Sequence, residues 1–203
     1  LGGLASFLTR TTYKRYSRMK AEKGLTGAEA AQTLLERNGV LDVTIEEVQG
    51  FLSDHYDPRT KTLRLSPAVY HQPSLSAIGV ACHEAGHALQ HAQGYAALKM
   101  RSALVPVTGI TNSISMPLIM AGAILHFKLL LLIGTILFAG AIIFSLVTLP
   151  VEWDASARAK KLMVSSGIVN ENERDAAGKV LNAAFLTYLA STVTAIFTLL
   201  FYL

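Results

Sequence analysis

Three stretches of the chain carry no Lys, Arg, Asp or Glu: Ser102 to Phe127, Leu129 to Val151 and Val180 to Leu203, of 26, 23 and 24 residues. A bilayer core of ~30 Å is crossed by ~20 apolar helical residues, so each stretch is long enough to span. The middle one, opening Leu129-Leu130-Leu131-Leu132-Ile133, is the plainest. The last is dotted with Tyr188, Ser191, Thr192, Thr194 and Thr198. Such hydroxyls are tolerated in a span when they face another helix or bond back to the backbone. The first contains Pro106, Gly109, Asn112, Ser113, Ser115 and Pro117. It is expected as a kinked span or, in part, as a re-entrant segment.

The remaining pattern is that of a soluble unit. Thr26-Gly27-Ala28-Glu29 is a capping box, followed by an apolar stripe of Ala30, Ala31, Leu34 and Leu35 and a stop at Asn38-Gly39. Val40 to Leu52 reads as one or two strands. Asp57-Pro58-Arg59-Thr60 is a turn with Pro in its favoured second place. The alternating Thr62-Leu63-Arg64-Leu65 after it is expected as a hairpin strand at a sheet edge. There it could hold an extended peptide by main-chain hydrogen bonds or carry no ligand at all. Pro73-Ser74 opens a long helix from about Leu75 to Ala92, ended by Gly94.

Composition follows from this division. The chain is 51% hydrophobic and 16% charged, but all its charges fall in the residues outside the three stretches, at about the soluble average of 25%. Disorder is excluded. A single cysteine, Cys82, excludes a disulfide framework and a Cys-based zinc cluster. The net charge of +4 comes with no basic face interleaved with aromatics, so nucleic acid is not an expected partner; the lipid bilayer is. If the three stretches cross, 17 of the 18 Lys and Arg lie on one side and only Lys128 on the other. The positive-inside rule puts that side in the cytoplasm. The chain opens on Leu1 rather than Met. Leu1 to Leu8 reads as the cytoplasmic end of a span, with Arg10, Lys14, Arg15, Arg18, Lys20 and Lys23 as its basic flank.

The chemistry centres on His83-Glu84-Ala85-Gly86-His87 in the long helix. Residues four apart share a helical face, so both imidazoles can reach one zinc ion at ~2.0–2.1 Å. Glu84, beside the first, is placed to deprotonate a water acidified by the metal. A catalytic zinc needs a third protein ligand and an open position. The metzincin position, ten residues after His83, is Gln93, so that pattern fails. His91 lies one turn beyond His87, and three ligands along one straight face do not surround a tetrahedral ion; it is expected as an outer or substrate contact. The third ligand is expected from Pro150-Val151-Glu152-Trp153-Asp154-Ala155-Ser156, which two crossings return to the side of the His helix. Glu152 is the first choice and Asp154 the alternative. Glu152 and Ser156 share a face, and Asp154 can pair with Arg158.

These residues bring out a resemblance. The chain resembles the YugP-like family of bacterial membrane zinc metallopeptidases. The likeness runs through Gly24-Leu25-Thr26-Gly27, Asp54 to Thr60, Val80 to Gln90, Leu146 to Glu152 and Leu186-Thr187-Tyr188. It implies an upstream membrane span that this sequence lacks or nearly lacks. It also implies a gluzincin-type site with zinc as cofactor, His83, His87 and Glu152 as ligands and Glu84 as base. In the wider HtpX-like peptidases the ligand motif is Glu-x-x-Ala-Asp. Here Ser156 stands at the last place, so Asp154 or another residue must orient a ligand imidazole.

The expected fold is mainly α with a small β-hairpin or sheet: a helical integral membrane protein with a cytoplasmic zincin-like catalytic part. Residues 1–101 form the basic flank, the helices and the hairpin. Residues 102–151 are two spans in a helical hairpin, 152–179 a cytoplasmic segment with the third ligand, and 180–203 a last span. The expected activity is peptide-bond hydrolysis at the cytoplasmic surface of the bacterial inner membrane, on a peptide or protein substrate. His55, Tyr56, Tyr70, His91 and Tyr188 are candidates to stabilise the oxyanion. The competing reading is a non-catalytic, zinc-stabilised membrane scaffold, motivated by Ser156 and by the lack of any substrate pocket legible in sequence. A transporter is disfavoured, because the spans hold no ionisable Asp, Glu, Lys or Arg.

Overall fold

The computed structural model of the chain describes residues 2–202. Leu1 and Leu203, which end the first and last expected segments, lie outside the described residues. The first described element is helix α1 (Gly2–Tyr16), exposed at the apolar Leu4, Phe7 and Leu8 of its first half and basic at Arg10, Lys14 and Arg15 of its second, while Ala5, Tyr13 and Tyr16 are buried. Helix α2 (Gly27–Arg37) starts where the capping box predicts. Thr26 Oγ1 accepts from the Glu29 amide at 3.2 Å, and Glu29 Oε2 accepts from the Thr26 amide at 2.8 Å. Such a cap is worth ~0.5–2 kcal/mol.

The sheet differs from expectation. Val40 to Leu52 holds one strand, β1 (Thr44–Glu47), within the one or two expected there; the difference lies in the strand order. The hairpin forms from β2 (His55–Asp57) and β3 (Thr62–Leu65) across the Pro58 turn. Its second strand is not at an edge. The order is β1-β3-β2, with β3 parallel to β1 and antiparallel to β2. Thr62, Leu63 and Arg64 therefore have strand partners on both sides, Leu65 pairs with Glu47 of β1, and Leu63 and Leu65 are wholly buried. These four residues cannot add a substrate strand. The open edge beside them belongs to β2. A hairpin pattern fixes its own pairing but says nothing about a third strand arriving from β1, a longer-range contact.

A short helix α3 (Pro67–His71) leads into α4 (Leu75–Ala92). The α4 start is capped by Ser74 Oγ, which accepts from the Ala77 amide at 3.3 Å, and Gly94 after its end takes a φ of +68°. Three long helices follow: α5 (Ala96–Ile124), α6 (Lys128–Ser165) and α7 (Glu171–Tyr202). All three are long and apolar enough to cross a membrane. Helix α5 runs unbroken through Pro106 and Pro117, so the re-entrant alternative is set aside. Pro150 likewise lies inside α6 and does not begin a new helix. The expected boundaries at 151/152 and 179/180 thus fall within continuous helices. The hydroxyls behave as expected of a span. Thr135, Ser145, Thr148, Thr194 and Thr198 each donate to the carbonyl four residues back.

The core lies where α2, α3, α4 and β3 meet the second half of α6 and the start of α7. Leu34, Leu63, Leu65, Ile78 and Met163 are fully buried there. Each such side chain contributes roughly 1.5–3 kcal/mol by leaving water. Outside this core, large apolar side chains of α5 and α6 such as Ile110, Ile124, Ile136 and Ile143 are exposed, as lipid-facing residues would be.

Candidate metal centre

Helix α4 presents His83 and His87 one turn apart, with ring centroids 4.8 Å from each other. Helix α6 crosses it where Gly86 meets Ala155. A Cβ on Gly86 would stand 2.8 Å from the Ala155 carbonyl oxygen, so only glycine allows this approach. The crossing brings Glu152 and Ser156, also one turn apart, against the two imidazoles. Glu152 Oε2 lies 3.2 Å from His83 Nε2, and Glu152 Oε1 lies 3.7 Å from His87 Nε2. Ligand atoms of His83, His87 and Glu152 all fall within 4.8 Å of one another.

The other ring nitrogens are held from behind. Ser156 Oγ is 3.1 Å from His83 Nδ1. Gln90, fully buried, places Oε1 3.0 Å from His87 Nδ1 while its Nε2 donates to the Val151 carbonyl at 2.9 Å and to Asp154 Oδ2 at 2.8 Å. Two acceptors on the amide nitrogen fix which end of Gln90 is oxygen, so His87 Nδ1 must donate to it and Nε2 points its lone pair at the cluster. Arg158 Nε donates to the same Asp154 oxygen at 2.5 Å. Asp154 thus touches Gln90 and lies outside the His83–His87–Glu152 cluster, and the expected Asp154–Arg158 pair forms.

The donor set fits zinc: two imidazole nitrogens and one carboxylate, with their outer nitrogens already satisfied. The electrostatics agree. Burial works against a charge on His87, yet Glu152 and Glu84 beside it outweigh that and lift its pKa above the ordinary value. The site draws positive charge, and a cation binding there displaces protons from the same atoms.

Two lobes of a cleft meet at this cluster. The first, of about 490 Å³, runs along Asp54 to Arg59 and past His87 to Leu98, Arg101 and Val105 of α5. The second, of about 280 Å³, lies between α1, α4 and α7 and reaches His83 and Ser156. Asp54, Glu84, Glu152 and Tyr188 line both. Among the other expected residues, His55 and Tyr56 line the first lobe. Tyr56 has its hydroxyl 2.9 Å from His91 Nδ1, and burial pushes its pKa up to about 12. Tyr70 packs beside His71 on α3, and neither it nor His91 lines a lobe.

Residues 1–203 match a family model described as "Putative neutral zinc metallopeptidase". The chain belongs to this family. A relative, "Putative membrane protease YugP" of Bacillus subtilis (strain 168), is 45% identical over 196 residues, covering 97% of this chain and 87% of that protein. No solved structure matches.

Two residues at the centre of this family member escape a sequence reading. Gln90 reads as a water-facing polar residue beyond the motif, because helical periodicity does not show which polar side chain meets another helix. Arg101 reads only as the last charge before an apolar stretch. It places Nη2 3.5 Å from Glu152 Oε1, and its Nε is buried without a partner among the described residues. The available signal was a pair of cations, Lys99 and Arg101, in the first turns of α5 ahead of 26 uncharged residues.

Proposed function

We propose that this membrane-associated member of the zinc metallopeptidase family is a zinc-dependent endopeptidase with its active site at the cytoplasmic face of the bacterial inner membrane. The observation that carries this reading is the convergence of His83, His87 and Glu152 at the junction of two cleft lobes, with Glu84 lining both. A purely structural metal site needs neither a cleft nor an adjacent base.

His83, His87 and Glu152 would hold the ion, which when bound acidifies water and polarises a carbonyl. Glu84 accepts a proton from the attacking water and passes it to the leaving amine nitrogen. Tyr188, lining both lobes, is placed to donate to the developing oxyanion. Tyr56 is already engaged with His91. Ser156 and Gln90 keep the two imidazoles in register. An extended peptide would add at β2, the edge strand along the first lobe, in place of the central Thr62–Leu65. Both motives for the scaffold reading weaken: the cleft exists, and Ser156 takes up the imidazole that an Asp would hold.

Glu84→Gln should retain zinc while cleaving an unfolded protein substrate ~10²–10⁴-fold more slowly. Metal analysis and turnover on the same preparation decide it. Full turnover in that variant overturns the mechanism, and a wild type that binds zinc but cleaves nothing favours the scaffold.

A further inference from the structure

The two lobes differ in chemistry, and the difference bears on which bond is cut. The first lobe carries charge beyond the shared carboxylates: Asp57, Arg59 and Arg101 line it. The second adds no charged residue to Asp54, Glu84 and Glu152. Its walls are Tyr13 of α1, Leu52, Val80 of α4, and Val180, Leu181 and Phe185 of α7. Tyr13, Val180 and Leu181 are almost wholly buried.

The threonine hydroxyls in these walls are already spent. Thr9 Oγ1 is shared between the carbonyls of Ala5 and Ala183, and Thr187 Oγ1 donates to the Ala184 carbonyl. A polar side chain entering this space would lose water and find no new partner among them, whereas an apolar one gains by transfer. At about 280 Å³ the lobe lies just below the ~300–1,000 Å³ of small-molecule sites, a size for one bulky side chain and not for a length of chain.

The cluster sits between the lobes. His87 lines only the first and His83 only the second. A peptide whose scissile carbonyl is held at the cluster therefore has its two sides in different surroundings. The geometry points to the α1–α4–α7 lobe as a specificity pocket for a large apolar side chain, of the Leu or Phe class, flanking the bond that is cut. The main chain on the other side of that bond lies in the charged lobe along β2. This inference rests on the peptidase reading of the same site but is measurable without turnover.

The test uses the full chain in lipid nanodiscs as the zinc-loaded Glu84→Gln variant, with a panel of fluorescein-labelled peptides differing at one position. Peptides with Leu or Phe at one position should bind at least ~10-fold more tightly than their Ala or Asp counterparts. Ala184→Leu, which adds bulk to the lobe wall, should erase that advantage and favour the Ala peptide, with zinc content showing that the site is intact. Affinity indifferent to the side chain at every position, or a Leu preference untouched by Ala184→Leu, overturns the pocket. The two readings fail separately. Selective binding with no hydrolysis by the wild type leaves the pocket standing and removes the peptidase. Hydrolysis by the wild type with no side-chain preference removes the pocket alone.

Discussion

His87 is oriented by a relay of side chains: Gln90 accepts from its Nδ1 and is itself anchored on Val151 and Asp154 of α6. Outer partners of this kind are typically worth 10–100-fold in metal affinity. Gln90→Leu keeps the bulk but leaves His87 Nδ1 buried without its acceptor. Zinc affinity should fall ~10–100-fold, read by competition with a chromophoric chelator; an unchanged affinity would show that packing alone sets the ring. Asp54 makes a second prediction. Burial holds its carboxyl above the ordinary 3.8, even though the Ser66 amide and hydroxyl donate to it. The folded state thus keeps this proton longer than the unfolded chain does. Its contribution to stability is complete below the ordinary value and is lost as pH rises through the raised one. The thermal midpoint of the wild type should therefore decline across that interval, and that of Asp54→Asn should decline less. Equal slopes would assign the decline to other groups.

At the scale of elements, the crossing of α4 and α6 determines the site. An exposed helical glycine replaced by alanine normally gains up to ~1 kcal/mol from helix propensity. Gly86→Ala should do the opposite, because the new methyl meets the Ala155 carbonyl; overpacking of this kind costs ~1–3 kcal/mol. Lower stability accompanied by weaker zinc binding, measured by thermal denaturation with and without added zinc, is the expected result. A stabilised variant would mean that the helices do not approach this closely. The elements also show what a sequence can and cannot disclose. Helices α2 and α4 are legible because their ends are written locally, in Thr26 and Glu29 and in Ser74 and Gly94. The hairpin turn at Pro58 is legible for the same reason. The central place of β3 is not, since it depends on β1 from beyond the turn. His83, Glu84, His87, Glu152 and Ser156 could be selected from spacing along single helices. Gln90 and Arg101 could not, because their partners lie on α6 and nothing in a helical period names a partner helix.

For the whole molecule, the distribution of charge predicts orientation. Cys82 is fully buried, and burial pushes its thiol up to about 12, so it stays silent to labelling. Lys128→Cys, at the first residue of α6 just after the turn from α5, should react with a membrane-impermeant maleimide on intact cells. Lys161→Cys should react only after the membrane is opened. The reverse pattern would place the cleft on the outer side.

Helix α6 gives that architecture a mechanical meaning. Its 38 residues make a rod of ~57 Å, well beyond the ~30 Å hydrocarbon core. The lipid-facing turns and the turn bearing Glu152 belong to one body, with only Pro150 as a point where it could bend. Helix α4, which carries the imidazoles, is not among the candidate spans. If α6 crosses the bilayer as proposed, a thickness that tilts it loads the α4–α6 crossing that holds Glu152 against the two histidines. The candidate metal site thus joins a helix long and apolar enough to be set in lipid to one that is not.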